Sequence, residues 1–289
     1  MEDIGFCFLD HNVLRRVFMI DSVDFLYTYL DLPKGLSEPV QAATFPEPEL
    51  FLWNKTLADN MGFSRLNNDE YTWARFLSGQ IVHDDMKPFA QAYAGHQFGH
   101  FNILGDGRAL MLGEWRASDQ SLVDLQLKGA GRTPFSRGGD GRASLGPMIR
   151  EYIMSECMAA LGVRTTRSLA VVKTGEDVYR NRVHPGAVLA RVASSHLRVG
   201  TFQFVAATSK HHDLDQLVAY AINRHKITLE RGRKPAESLL RYVGSMQADL
   251  VVSWMRVGFI HCVMNTDNMT ISGATIDYGP CAFMDAYHP

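Results

Sequence analysis

The order of its hydrophobic patterns constrains this 289-residue chain most: strand-like runs come first and helical stripes follow. Four short runs read as strands, at 109–115, 122–128, 168–173 and 187–193, the last after a His184-Pro185-Gly186 turn. Together they predict an antiparallel sheet. Between the second and third runs, Pro147 opens a stripe of Ile149, Ile153, Cys157, Ala160 and Leu161 that Gly162 closes, which predicts one helix inserted in the sheet. Beyond residue 210 the period becomes helical, over 213–225 and 235–257, and an apolar run at 259–263 and two small strands around Ser272-Gly273 follow. Pro39, Pro46 and Pro48 mark 38–50 as a loop.

A sheet-rich part before a helical part, with a site in the cleft between them, predicts an α+β chain of two lobes, as in protein kinases. Composition narrows the partners. With 46% hydrophobic and 21% charged residues the chain is globular. It holds no apolar run of the roughly eighteen residues that a membrane span needs. A net charge of -2 argues against a wholesale nucleic-acid binder, so any phosphate site must be built locally. Cys7, Cys157, Cys262 and Cys281 are widely spaced and form no C-x-x-C pair, which excludes a zinc ribbon and fits a reducing cytosol. Glu2, Asp3 and Asp10 precede Arg15 and Arg16, unlike a secretory or mitochondrial leader, so a cytoplasmic location is expected.

The clearest alternation is that of 122–128. Val123, Leu125 and Leu127 share one face, and Asp124, Gln126 and Lys128 share the other, so Lys128 leaves the core side. Glu151 begins the inserted helix about 200° from the start of its apolar stripe and is expected to point away from the core as well. A solvated lysine and a carboxylate at a helix N-terminus would explain each alone. Together they fit a strand lysine held by a helix glutamate so that its ammonium meets nucleotide phosphates.

Two loops flank that region. Gly129 to Arg142 carries five glycines and three arginines, and Leu104-Gly105-Asp106-Gly107-Arg108 precedes the first strand. Glycines let backbone N–H groups converge on an anion, and arginine forks fit phosphate oxygens. Gly-Asp-Gly alone is also a common hairpin turn. Arg191 and Arg198, on either side of Ser194-Ser195-His196, are further candidates for the same phosphates.

The strongest local pattern is Met264-Asn265-Thr266-Asp267-Asn268, a Ser272-Gly273 turn and Thr275-Ile276-Asp277-Tyr278-Gly279. A hairpin that returns Asp277 beside Asn268 offers carboxylate and amide oxygens to a hard cation, like the kinase pattern of Asn followed by D-F-G. An Asx-rich turn between strands is the plainer account. His96-Gln97-Phe98-Gly99-His100 differs from the metalloprotease H-E-x-x-H in its missing glutamate, and its histidines are expected to be structural.

Taken together, Gln91 to His100, the 104–108 loop, Gln126 to Arg137, Asp140 to Ala143, Asn265 to Asn268 and Ile276 to Pro280 resemble the selenoprotein O family, also called YdiU, over about residues 45 to 289. The resemblance implies a protein-kinase-like fold that binds ATP in reversed orientation and moves AMP onto Ser, Thr or Tyr hydroxyls of protein substrates. It further implies Gly105, Gly107, Arg108, Lys128, Asp140, Gly141, Arg191, Arg198 and Asp277 as nucleotide contacts, with Glu151 holding Lys128. Asn268 and Asp277 would bind Mg²⁺ or Mn²⁺, and Asp267 would accept the proton of the incoming hydroxyl. In ordinary kinases the catalytic Asp precedes its Asn by about five residues, and here Asp267 directly precedes Asn268, which disfavours simple phosphoryl transfer.

The expected organisation is an N-terminal extension over 1–44, a sheet-rich lobe with the nucleotide-binding sheet over 45–205, and a partial helical lobe with the metal loop over 206–289. Family members continue well past the D-Y-G-P segment, so a C-terminally truncated chain is expected. An ATP-binding pseudoenzyme inactivated by truncation and a protein kinase are the alternatives to an active adenylyltransferase.

Overall fold

A computed structural model describes residues 24–66, 68–96, 99–208 and 211–286. More than half of the expected 1–44 extension, together with Cys7 and Gln97, lies outside the described residues. Strands β1 (Ser37–Pro39), β2 (Glu49–Trp53), β3 (Phe89–Gly95), β4 (Asn102–Gly105), β5 (Ala109–Arg116), β6 (Leu122–Lys128), β7 (Arg167–Tyr179) and β8 (Val183–Ala193) form one sheet. Their order is β1-β3-β5-β6-β8-β7-β2, with β4 attached to β3. All of these pairings are antiparallel, as the four strand runs predict.

Six α-helices accompany the sheet among the described residues: α1 (Lys55–Met61), α2 (Glu70–Leu77), α3 (Leu145–Ala160), α4 (Val199–Thr208), α5 (His211–His225) and α6 (Pro235–Arg256). The short strands β9 (Phe259–Ile260) and β10 (Ala282–Phe283) pair with each other. The fold is α+β, with one large antiparallel sheet. Among the described residues no helix is long and apolar enough to cross a membrane.

Three local expectations need correction. His184-Pro185-Gly186 lies inside β8, and Pro185 sits opposite Asp177 beside a register shift that relaxes the demand for its missing N–H. The 38–50 segment holds part of β1 and the start of β2, the two ends of the sheet order, where proline is tolerated. The two small strands around Ser272-Gly273 shrink to isolated bridges, Met269 with Thr275 and Arg198 with Thr270, because the Thr270 hydroxyl accepts Ala274 N–H and closes the turn itself.

The period-2 pattern of β6 holds, although both of its faces are covered. Leu125 and Leu127 join Phe63, Trp73, Phe76 and Leu77 in the core beside α1 and α2. Burial of each leucine contributes about 1.5–3 kcal/mol. A second apolar cluster, with Leu197, Val205, Leu217, Ala221 and Leu239, joins α4, α5 and α6. On the other face of β6, Asp124, Gln126 and Lys128 are also buried, so Lys128 leaves the apolar core without reaching solvent.

Helix α3 shows the same lesson more sharply. It packs on β7 and β8 through Met148, Glu151 and Ser155 and on Leu250, Trp254 and Phe259 through Met158, while Ile153 and Leu161 of the expected core stripe are 56% and 52% exposed. The apolar stripe faces outward, and Glu151 points inward because the buried cations described below need its charge.

Asp124 ties β6 to the helical part. It accepts the His196 backbone N–H at 2.6 Å and Arg224 at 2.7 Å. Burial opposes its charge, but His196 and Arg224 prevail and hold its carboxyl below the usual carboxylate range. The stabilisation is therefore complete above the ordinary Asp value near 4 and is lost as pH falls through the lower folded value. Asp124→Ala should cost about 3–5 kcal/mol in urea unfolding at neutral pH, because it strands the Arg224 guanidinium. The variant should also lose less stability than the parent chain on acidification.

Candidate active site

A cavity of about 690 Å³ opens where β4, β6 and β8 meet the Gly129–Arg142 loop and the hairpin ending at Asp277. Gly105, Gly107, Arg108, Lys128, Asp140, Gly141, Arg191 and Arg198 all line it, and so do Asp267, Asn268 and Asp277. Of the candidates, only Glu151 lies behind the wall, where it holds Lys128.

The centre of the site is an ion cluster. Lys128 Nζ lies 2.7 Å from Glu151 Oε2 and 2.5 Å from Asp277 Oδ1. Arg191 Nη1 bridges the same two carboxylates at 2.9 and 2.8 Å, and its guanidinium also donates to Gln126 Oε1. Arg198 Nη1 reaches Asp277 Oδ2 at 2.9 Å and the Asp267 carbonyl at 2.6 Å. Its guanidinium stacks 4.4 Å from the centre of the Tyr93 ring.

These groups face one another because β6 and β8 are adjacent strands. Their register sets Gln126 opposite Arg191, and Lys128 follows two residues on along the same face. Burial disfavours the Asp277 charge, but Lys128, Arg191 and Arg198 outweigh it and hold the carboxyl well below the usual carboxylate range. Asp277 sits at φ 63, a left-handed conformation that Asp tolerates better than most residues. Asp106 Oδ1 lies 3.7 Å from Arg198 and has no hydrogen bond, and burial pushes the Asp106 carboxyl up.

The two glycine loops lock together. Gly105 and Gly107 run beneath Phe135, whose neighbours Thr133 and Ser136 donate their hydroxyls to the Asp106 and Gly107 carbonyls. Gly141 has φ 69, and a Cβ there would lie 2.1 Å from the Gly131 carbonyl carbon, so only glycine closes this loop. Arg108 is exposed at the rim. The Asp140 carboxylate is clasped by Arg180 at 2.6 and 2.9 Å, a partner from the β7–β8 turn that sequence spacing does not reveal. Tyr93, Asp106, Gln126 and Phe135 also escape the sequence argument. The one available signal was the placement of Gln126 on the Lys128 face of β6.

Residues 266–268 form a single 3₁₀ turn. Asn268 lines the cavity and donates its Nδ2 to the Val263 carbonyl at 2.9 Å, which leaves the amide oxygen uncommitted by that bond. Among the described residues no group of three His, Cys, Asp or Glu side chains is assembled to hold a metal. The oxygen chemistry of Asn268 and Asp277 suits a hard divalent cation, provided phosphate oxygens and water complete the shell. His96 and His100 are exposed rather than buried, and the His96 backbone N–H donates to Asn265 Oδ1 at 2.9 Å.

The fold and site define an α+β protein whose antiparallel sheet aims a lysine and two arginines into a glycine-lined cavity. The chain belongs to the family described as protein adenylyltransferase SelO, whose model matches residues 20–289. It is 52% identical over 264 residues to the protein nucleotidyltransferase YdiU of Pelagibacter ubique, covering 91% of this chain and 54% of that one. The proteins of the same name from Shouchella clausii and Nitrosococcus oceani are 53% and 52% identical over 262 residues, covering 91% of this chain in each case and 54% and 53% of theirs. The chain spans about half the length of these curated relatives.

The Arg180–Asp140 pair is 40% and 47% exposed, so Arg180→Ala should change unfolding free energy by less than about 1 kcal/mol. It should nevertheless speed amide hydrogen exchange across 138–142, because Arg180 also holds the Arg142 carbonyl.

Proposed function

We propose that this chain carries the catalytic site of a protein adenylyltransferase, which binds ATP with Mg²⁺ or Mn²⁺ and moves AMP onto Ser, Thr or Tyr hydroxyls of protein substrates. The observation that carries this is the convergence of Lys128, Arg191 and Arg198 on one point beside Asp267 and Asn268. The family description and the names of the relatives support it. The fold is taken as kinase-like and two-lobed, with the sheet-rich lobe over 45–205, the partial helical lobe over 206–289 and an extension before residue 45. A cytoplasmic location, with neither nucleic acid nor membrane as partner, goes with it.

In this scheme Arg108, Arg191 and Arg198 gather the β- and γ-phosphates, with Lys128 beside them, and the glycine loops bring backbone N–H groups to the nucleotide. That leaves the α-phosphate near Asp267, Asn268 and Asp277. The acceptor oxygen forms a bond to the α-phosphorus, the bond from that phosphorus to the bridging oxygen breaks, and pyrophosphate leaves with the electron pair. Asp267 takes the hydroxyl proton. A divalent cation held by Asn268 and Asp277 would supply charge neutralisation at the phosphates. The buried cations are already in place and need little reorganisation as charge develops.

ATP labelled at the α or the γ position decides between readings. Label from α alone should enter protein. Label from γ alone would make the chain a kinase, and binding of ATP without either label would make it a pseudoenzyme.

The ion cluster also predicts a linkage. Lys128, Arg191 and Arg198 are engaged by Glu151 and Asp277, so phosphates must compete with the Asp277 carboxylate unless a cation takes it. Chelating the metal should weaken ATP binding by at least about tenfold, the scale of one charge-assisted hydrogen bond. In Asp277→Ala that metal dependence should vanish, and metal-free ATP should bind more tightly than to the parent chain. Calorimetric titration with and without chelator reads both.

A further inference from the structure

The end of β3 is pressed against the 265–268 turn more closely than any side chain would permit. A Cβ on Gly95 would lie 2.6 Å from Asp267 Oδ1 and 2.8 Å from Asp267 Cγ. One on Gly200 would lie 2.0 Å from the Ala94 carbonyl oxygen and 3.1 Å from that of Thr266. The turn is anchored from several sides. Asn265 Oδ1 accepts the backbone N–H of His96 at 2.9 Å and of Thr266 at 2.7 Å. The Thr266 hydroxyl donates to Gln203 Oε1 at 2.5 Å, and Arg198 donates to the Asp267 carbonyl at 2.6 Å. The backbone of Asp267 is therefore fixed, and its buried side chain sits against Gly95.

We propose that Gly95 is a positioning residue for nucleotidyl transfer: its bare Cα is the floor on which the Asp267 carboxylate rests, and this contact sets the direction in which Asp267 meets the acceptor hydroxyl. The proposal rests on the assignment of Asp267 as proton acceptor. A methyl group at position 95 meets side-chain atoms rather than backbone: the carboxylate must swing away, and Asp267 Cβ, 3.0 Å from the added carbon, must give slightly. Displacement of a reacting group by about 1 Å costs up to about 10²-fold in rate. At Gly200 the obstacle is backbone, and a substitution there would move the chain itself.

The test compares transfer of α-label by the parent chain, Gly95→Ala, Asp267→Ala and the double variant, together with ATP affinity. Gly95→Ala should lower kcat by about 10- to 100-fold and leave the ATP dissociation constant unchanged within about twofold. In the Asp267→Ala background the same substitution should have no further effect, since it acts through a carboxylate no longer there. Parental kcat in Gly95→Ala, or an equal further loss in the double variant, overturns the proposal while the transferase reading stands. Full transfer by Asp267→Ala removes the proton acceptor and the proposal with it. If even the parent chain transfers no label, the ¹³C carboxyl resonance of Asp267, assigned by its loss in Asp267→Asn, decides instead. A shift of that resonance in Gly95→Ala supports the contact, and an unmoved resonance overturns it.

Discussion

Five charges, four of them buried and Asp277 partly buried, set the terms for the rest of this structure. Lys128, Glu151, Arg191, Arg198 and Asp277 come from β6, α3, β8, the segment before α4 and the C-terminal hairpin. Removing a single ion from water costs several kcal/mol, so none of them is tolerable without the others. The positions of the five elements are consequently coupled. The register of β6 against β8 aligns the lysine with an arginine, and the helix between β6 and β7 must turn a glutamate inward. The hairpin must then place its aspartate within reach of all three cations.

That coupling explains where the sequence was legible and where it misled. The β6 pattern of Val123, Leu125 and Leu127 against Asp124, Gln126 and Lys128 is the pattern of the structure, because a strand face is set by pleating alone. The α3 pattern gave the helix but the wrong face. Ile149, Ile153 and Cys157 form a respectable apolar stripe, yet the buried side carries Glu151 and Ser155, since electrostatic demand from the neighbouring strands outweighed the transfer energy of a few aliphatic groups. A period count treats charge as a sign of solvent, and here charge marks the deepest point.

The residues that line the cavity were reached by motif, and what motif could not reach was mutual support. Nothing about Arg180 in the sequence announces a grip on Asp140, and nothing about Phe135 announces that it covers Gly105 and Gly107. Both contacts join segments separated by dozens of residues and arise only when the sheet closes. Expectations built from local spacing therefore recovered the lining of the cavity better than the struts that hold it.

The strand that carries Lys128 is paired on both sides, with β5 and β8, whereas the hairpin that carries Asp277 is held by isolated bridges and a threonine-closed turn. The hairpin is nonetheless well packed: Thr270, Ile271, Thr275, Ile276 and Tyr278 are buried, and the Gln247 side chain donates to the Thr270 carbonyl at 2.6 Å. Lys128 and Arg191 are therefore set by a continuous ladder, and Asp277 by side chains and packing. A change in the apolar cluster around Tyr278 would accordingly shift the carboxylate while leaving those two cations in register.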